Sequence, residues 1–233
     1  MEIFYSNNYS KEFINNFAEY YNMILHDILE VESMSEIGYT SNNDIKLLNR
    51  YNQIESPLLY DDVLDGFNDN LAKNPDNILV SYGDTSYTYV ESAFIADKIA
   101  NSLRDAGVES QDYVAYLVER SEWYLLVSLG ILSMGAVYVP LDDALPDKRL
   151  KFMLEDAGVK AIIASDETYE RAKDLANNLA VLNVNDIVDG DVGCLDTLNV
   201  NYGKLACILY TSCTTGRPKG VKITRLAVIN NVG

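Results

Sequence analysis

Chemistry concentrates near the end of the sequence, in Tyr210-Thr211-Ser212-Cys213-Thr214-Thr215-Gly216-Arg217-Pro218-Lys219-Gly220. Residues 211–215 carry four hydroxyl side chains in five positions, and glycine, proline and lysine follow. Such a run makes a poor helix and a poor strand. Hydroxyls and unpaired backbone N–H groups donate well to phosphate oxygens, and Gly216 lets the backbone approach a ligand closely. Lys219 adds a mobile ammonium charge that can follow the phosphates. The pattern suits a polyanion cradle and suits an ordinary polar surface loop about as well, because short motifs recur by chance. It has neither Walker A spacing nor the GxGxxG of a dinucleotide fold, so the residues alone lead to a phosphate-bearing ligand, a nucleotide, and no further.

The charge balance narrows the partners. A net charge of −17 and a pI near 4.3 argue against nucleic acid and anionic membranes as partners. Against that background Arg217, Lys219, Lys222 and Arg225 cluster within a few residues, which favours the phosphate reading. No apolar run reaches membrane-spanning length, and the first residues lack the basic start of a secretory signal. Cys194, Cys207 and Cys213 form no CxxC or metal-ligand spacing; three cysteines without a signal fit reduced thiols and a cytoplasmic location. The one histidine, His26, lies in an apolar helical pattern, so a His-based triad or a His-rich metal site within this sequence is excluded. No metal-ligating residues are assigned.

The elements that must position the loop read as follows. Ser10 caps a helix whose apolar stripe runs from Phe13 to Leu29. Residues 31–60 turn polar, with a short helical patch near 45–48, and read as a boundary. A helix built on Val63, Leu64, Phe67 and Leu71 ends before Pro75. Residues 78–82 and 85–89 flank the hairpin signal Gly83-Asp84, and Thr88 with Glu91 forms a capping box for a helix stopped by Gly107. Strands are then expected at 113–118, 136–139 ending at Pro140, 160–164, 181–184 and 205–210. Between them come helices from Ser121 to Leu132, from Pro146 at the first helical position to Gly158, and over 167–177. Strands separated by helices imply an α/β fold with a largely parallel sheet and flanking helices. A loop after such a strand is where this architecture places a ligand.

Three blocks carry a family resemblance. Residues 210–220, followed by Val221-Lys222-Ile223, resemble the phosphate loop of the adenylate-forming (AMP-binding) enzyme superfamily. Ile131-Leu132-Ser133-Met134-Gly135-Ala136-Val137-Tyr138-Val139-Pro140-Leu141-Asp142, with Pro146, Arg149 and Leu150 beyond, resembles a block of amino-acid adenylation domains. Tyr87-Thr88-Tyr89-Val90-Glu91 resembles an earlier block, and the order and separations agree. The form of the second block resembles nonribosomal peptide synthetases more than acyl-CoA ligases. Ile3-Phe4-Tyr5-Ser6, Tyr9-Ser10-Lys11-Glu12-Phe13 and the long helix resemble the last segment of a condensation domain.

The resemblance implies a condensation-domain remnant over 1–40, a linker over 41–60, and the N-terminal part of an adenylation domain over 61–233. It implies activation of an amino acid by ATP, with Mg2+, to an aminoacyl-adenylate and pyrophosphate. The partners implied are a peptidyl carrier protein with its phosphopantetheine and neighbouring synthetase domains. Thr211, Ser212, Thr214 and Thr215, with the loop N–H groups around Gly216, would hold the β and γ phosphates, and Lys219 would support the loop or the phosphates; no catalytic base is assigned, since a carboxylate is already a nucleophile. Cys213 departs from the family's glycine, and Arg225 from a frequent histidine. The segments that carry the family's substrate pocket, adenine and magnesium motifs and catalytic lysine are not matched. The chain alone is therefore expected not to complete adenylation, and a sheet ending here is expected to leave an apolar edge, poor solubility or pairing with another chain. The alternatives are a piece of an acyl- or aryl-acid ligase, or a non-catalytic remnant serving as an interaction module.

Overall fold

The computed structural model describes residues 4–6, 8–34, 37, 40–52, 58–190, 203–211 and 217–230, and the chain divides into two compact units, Met1–Pro57 and Leu58–Gly233. In the first unit, helix α1 spans Lys11–Glu30, and Ser10 Oγ accepts from the Phe13 N–H at 3.1 Å, as its sequence position predicts. Phe13, Phe17, Tyr21, Leu25 and Ile28 remain exposed along one face of α1. Helix α2, Asn42–Asn52, extends the expected helical patch to eleven residues. Its first turn is fixed by Ser41 Oγ, which accepts from the Asp44 N–H and donates to the Asp44 carboxylate.

The second unit begins with α3, Val63–Lys73, capped by the Asp62 carboxylate, which accepts from the Leu64 N–H at 2.9 Å. Strands β1, Ile78–Tyr82, and β2, Thr85–Thr88, form the hairpin around Gly83, whose φ of 59° is one glycine adopts without strain. Helix α4, Tyr89–Asp105, opens on the capping box: Thr88 Oγ1 accepts from the Glu91 N–H, and Glu91 accepts from the Thr88 N–H at 2.8 Å. Those bonds from Thr88 hold the Glu91 carboxyl below its usual range.

There follow β3 (Tyr113–Leu117), α5 (Trp123–Ser133), β4 (Val137–Leu141), α6 (Asp147–Ala157), β5 (Ala161–Ala164), α7 (Tyr169–Leu175), β6 (Ala180–Asn183), α8 (Val184–Asp189), β7 (Leu205–Thr211), β8 (Lys219–Thr224) and α9 (Arg225–Asn230). The strands lie in the order β6-β5-β3-β4-β7-β8, parallel throughout except for the antiparallel β7–β8 pair. The sheet is covered on both faces. Ile99, Leu126 and Ile131 pack with Val114 and Ile163 on one side; Leu150, Met153 and Leu175 pack with Leu117, Val139 and Ile162 on the other. Burial on both faces explains why these strands read as continuous apolar runs. Each fully buried Leu or Ile contributes about 1.5–3 kcal/mol.

Several boundaries differ from expectation, for local reasons. Pro140 continues β4, in register with Tyr116, because its fixed φ is compatible with extended backbone and costs a single donor. Pro146 is the N-cap of α6 rather than its first residue, and its carbonyl accepts from the Arg149 and Leu150 N–H groups. Ser121 accepts from the Trp123 N–H, so α5 begins two residues beyond it. Helix α7 is shorter than 167–177, and α8, β8 and α9 were not anticipated. Among the described residues no helix is long and apolar enough to cross a membrane.

Candidate functional site

Strand β7 runs parallel to β4, so the chain beyond Thr211 leaves from the carboxyl end of a parallel strand. Thr211 closes β7 and Lys219 opens β8; the two stand opposite each other in the ladder, and both are exposed. The structure thus brings together the first and last of the proposed site residues. Ser212, Cys213, Thr214, Thr215 and Gly216, including the position that departs from the family glycine, lie outside the described residues. Arg217 is exposed beside Pro218.

The four clustered cations separate in space. Arg225 is buried, 3% exposed, and its guanidinium pairs with both carboxylate oxygens of Asp62, Nη2 to Oδ1 at 3.0 Å and Nε to Oδ2. It also donates to the Leu132 carbonyl at the end of α5. Arg225 therefore joins the base of the β7–β8 hairpin to α3 and α5, and the expectation that it contributes to a phosphate-facing cluster is corrected. Burial is the reason: a guanidinium spent on a carboxylate that is itself capping α3 cannot turn to a ligand. Lys222 lies over the Tyr113 ring, its Nζ 5.6 Å from the ring centroid. Arg217 and Lys219 remain at the loop end.

The two ends of the motif, Tyr210 and Gly220, have roles that the sequence does not reveal. Tyr210 turns toward α6, where its hydroxyl donates to Asp156 Oδ2 at 2.7 Å with the Met153 carbonyl at 3.2 Å. Gly220 stands opposite Tyr210 in the ladder; a Cβ there would lie 2.9 Å from Ile208 Cγ2 and 3.1 Å from Tyr210 Cζ. The alternation of Val221 and Ile223 was the available signal for β8, and Thr224 before an apolar run was the signal for α9. Thr224 Oγ1 does accept from the Ala227 N–H at 3.1 Å.

The neighbouring loop at the carboxyl end of β4 is also fixed. Arg171 of α7 donates to the Asp143 and Leu145 carbonyls at 2.5 and 2.6 Å and to the Asp147 carboxylate at 2.8 Å. Cys207, in β7, is a buried free thiol whose pKa is pushed up by burial, which makes it a poor nucleophile. Among the described residues no group of three His, Cys, Asp or Glu side chains is placed to hold a metal ion. Toward a nucleotide the described residues offer an exposed hydroxyl at Thr211 and exposed cations at Arg217 and Lys219, at a strand end.

Comparison with known proteins agrees with this arrangement. Residues 67–233 match the AMP-binding enzyme family. The chain is 31% identical over 223 residues to Gramicidin S synthase 2 of Brevibacillus brevis, covering 94% of this chain and 5% of that protein. It is 29% identical over 237 residues to Bacitracin synthase 3 of Bacillus licheniformis, covering 96% of this chain and 4% of that one. The chain thus spans a small part of the relatives it matches. Its fold resembles that of the nonribosomal peptide synthetase FmoA3 in its alpha-methyl-L-serine-AMP bound form, with a TM-score of 0.80, 24% identity, and coverage of 98% of this chain and 26% of the other. The N-terminal subdomain of Klebsiella oxytoca NpsA, in complex with 3-hydroxyanthranilyl-AMSN, is 27% identical with a TM-score of 0.59, over 70% of this chain and 40% of that one. With most of its length matched, the chain belongs to the AMP-binding enzyme family, and within it is similar to nonribosomal peptide synthetases.

Proposed function

We propose that residues 61–233 serve as the N-terminal part of an amino-acid adenylation unit of a nonribosomal peptide synthetase, with 1–40 as the end of a condensation domain and 41–60 as the connection. The boundary between the two compact units falls between residues 57 and 58, inside that connection, which supports a second part beginning near 61. The observation that carries the functional reading is the hairpin placing Thr211 and Lys219 opposite each other at the carboxyl end of β7.

The chemistry follows from charge. An amino-acid carboxylate attacks the α-phosphate of ATP, a bond forms from carboxylate oxygen to phosphorus, and pyrophosphate leaves. Negative charge builds on the α-phosphate and on the leaving group. Donors fixed in advance around those oxygens stabilise that state more than the ground state. In this reading Thr211, Ser212, Thr214 and Thr215 donate hydroxyl hydrogens to the β and γ phosphates, Gly216 allows close backbone approach, and Lys219 neutralises charge. Mg2+, expected to accompany the nucleotide, would add further neutralisation of the phosphates. The aminoacyl-adenylate would then pass to the phosphopantetheine thiol of a peptidyl carrier protein, the downstream partner.

Amino-acid-dependent ATP–pyrophosphate exchange, measured with this chain in the context of a complete adenylation unit, tests the reading. Exchange with amino acids, reduced strongly in Lys219→Ala, is expected. Exchange with fatty or aryl acids alone would contradict it.

A further inference from the structure

The far end of the β7–β8 hairpin lies beyond the register pair that joins β7 to β4. Across β4 the register pair is Tyr138 opposite Cys207, three residues before Tyr210. By contrast β3 is paired with β4 from Tyr113 to Leu117 and with β5 from Val114 to Leu117. Beyond Cys207, β7 is accompanied in the ladder by β8 alone, up to Thr211 opposite Lys219. Side-chain contacts of β7 beyond Cys207, buried Ile208 among them, therefore bear on where those two residues stand relative to the core.

Tyr210 occupies the position that can do this. It is adjacent to Thr211, and its ladder partner Gly220 is adjacent to Lys219. The missing side chain at Gly220 leaves room for the Tyr210 ring, which a Cβ would meet at 3.1 Å. The ring therefore crosses the hairpin, and its hydroxyl reaches the last turns of α6 at Asp156 and Met153. A cavity of about 100 Å3, lined by Tyr113, Asp156, Ala157, Ile208 and Lys222, lies beside the ring. The ring packs against the core on one side and faces this cavity on the other, so its hydrogen bonds add to packing in holding it.

We propose that Tyr210 is a positioning residue: its phenol, seated over Gly220 and tied to Asp156 and Met153, sets the place of Thr211 and Lys219, the two described residues that would face the triphosphate. This rests on the triphosphate reading of the loop. Burial first, and the Asp156 carboxylate second, push the Tyr210 phenol up in pKa, which keeps its proton available to donate. No atom of Tyr210 is required to touch the ligand. The tether is unlike the buried Arg225–Asp62 pair at the hairpin base, because it joins a half-buried ring to an exposed carboxylate and can be cut without exposing a core.

The test uses the full chain with inorganic tripolyphosphate and ATP as probes. Tyr210→Phe and Asp156→Ala are each expected to weaken tripolyphosphate binding about three- to tenfold, the size of one charge-assisted hydrogen bond discounted for indirect action. The double variant should lose no more than Tyr210→Phe alone, because that change already removes the bond to Asp156 together with the one to the Met153 carbonyl. Backbone amide exchange should quicken at Thr211 and Lys219 and stay unchanged at Val114 and Val139. A merely structural role would instead lower the melting temperature and leave tripolyphosphate affinity in place. If wild-type chain binds tripolyphosphate and both variants bind it equally well, the tether is overturned. If wild-type chain does not bind it at all, the triphosphate reading fails; the tether then stands or falls on amide exchange at Thr211 and Lys219. Asp156→Ala, on an exposed helix surface, keeps the test intact should Tyr210→Phe fold poorly.

Discussion

The two ends of β8 carry cations of the same formal charge with opposite fates. Lys219, at the start, is exposed beside Thr211. Arg225, directly after the strand, is buried and bound by Asp62 and the Leu132 carbonyl. In sequence they form one basic cluster, whereas in space one faces outward and the other is a bolt through the core. Charge density along a chain reports on a ligand site only after each charge has been assigned a solvent or a protein partner. The desolvation of Arg225 is offset by the Asp62 carboxylate and the Leu132 carbonyl among its partners, so its role is structural. Lys219 keeps its hydration and remains free to respond to a polyanion.

The contrast can be broken most sharply at Arg225. Arg225→Met leaves the Asp62 carboxylate buried without its counter-charge, and urea denaturation should show a loss of about 3–5 kcal/mol. Replacing Asp62 at the same time, as Asp62→Asn with Arg225→Met, should recover part of that loss, since the uncompensated charge is then gone. A small loss in the single variant would mean the two ends of β8 are less different than their burial indicates.

Lys219→Ala sharpens the other side of the comparison. Its urea midpoint should match that of the parent chain, while ATP–pyrophosphate exchange in a complete adenylation unit falls about 100-fold, the range for losing one fixed donor near developing charge. A destabilised Lys219→Ala chain with normal exchange would reverse the assignment of the two residues.

Lys222, midway along β8, predicts an intermediate and small effect. Its ammonium lies over the Tyr113 ring, so Lys222→Ala should cost about 0.5–1 kcal/mol in urea denaturation and leave exchange unchanged. A large drop in exchange would place Lys222 with Lys219 rather than between the two extremes.

How far these features were legible follows from the range of the interactions involved. Local signals translated directly: Ser10 and Thr88 cap the helices they precede, and Gly83 turns the hairpin, because each acts on backbone within a few residues. The parallel sheet was legible from apolar runs separated by helices, since burial on both faces writes itself into composition. Strand β8 was obscured by its own exposure, with lysines at 219 and 222 interrupting the alternation of Val221 and Ile223. The partner of Arg225 was beyond reach, because Asp62 is 163 residues away and also reads as an ordinary helix cap. Tyr210 was legible as part of a motif, but not as a tether, because Asp156 and Met153 lie on another element. Of the site itself, Thr211 and Lys219 were placed opposite each other; the hydroxyls between them rest on the motif.

The most direct measurement is an ATP titration followed residue by residue through backbone amide chemical shifts. The account predicts shifts at Thr211, Arg217 and Lys219, abolished in Lys219→Ala, with Arg225 and its neighbours in α9 unmoved. Shifts centred elsewhere on the sheet, or a response at Thr211 that survives Lys219→Ala unchanged, would contradict it.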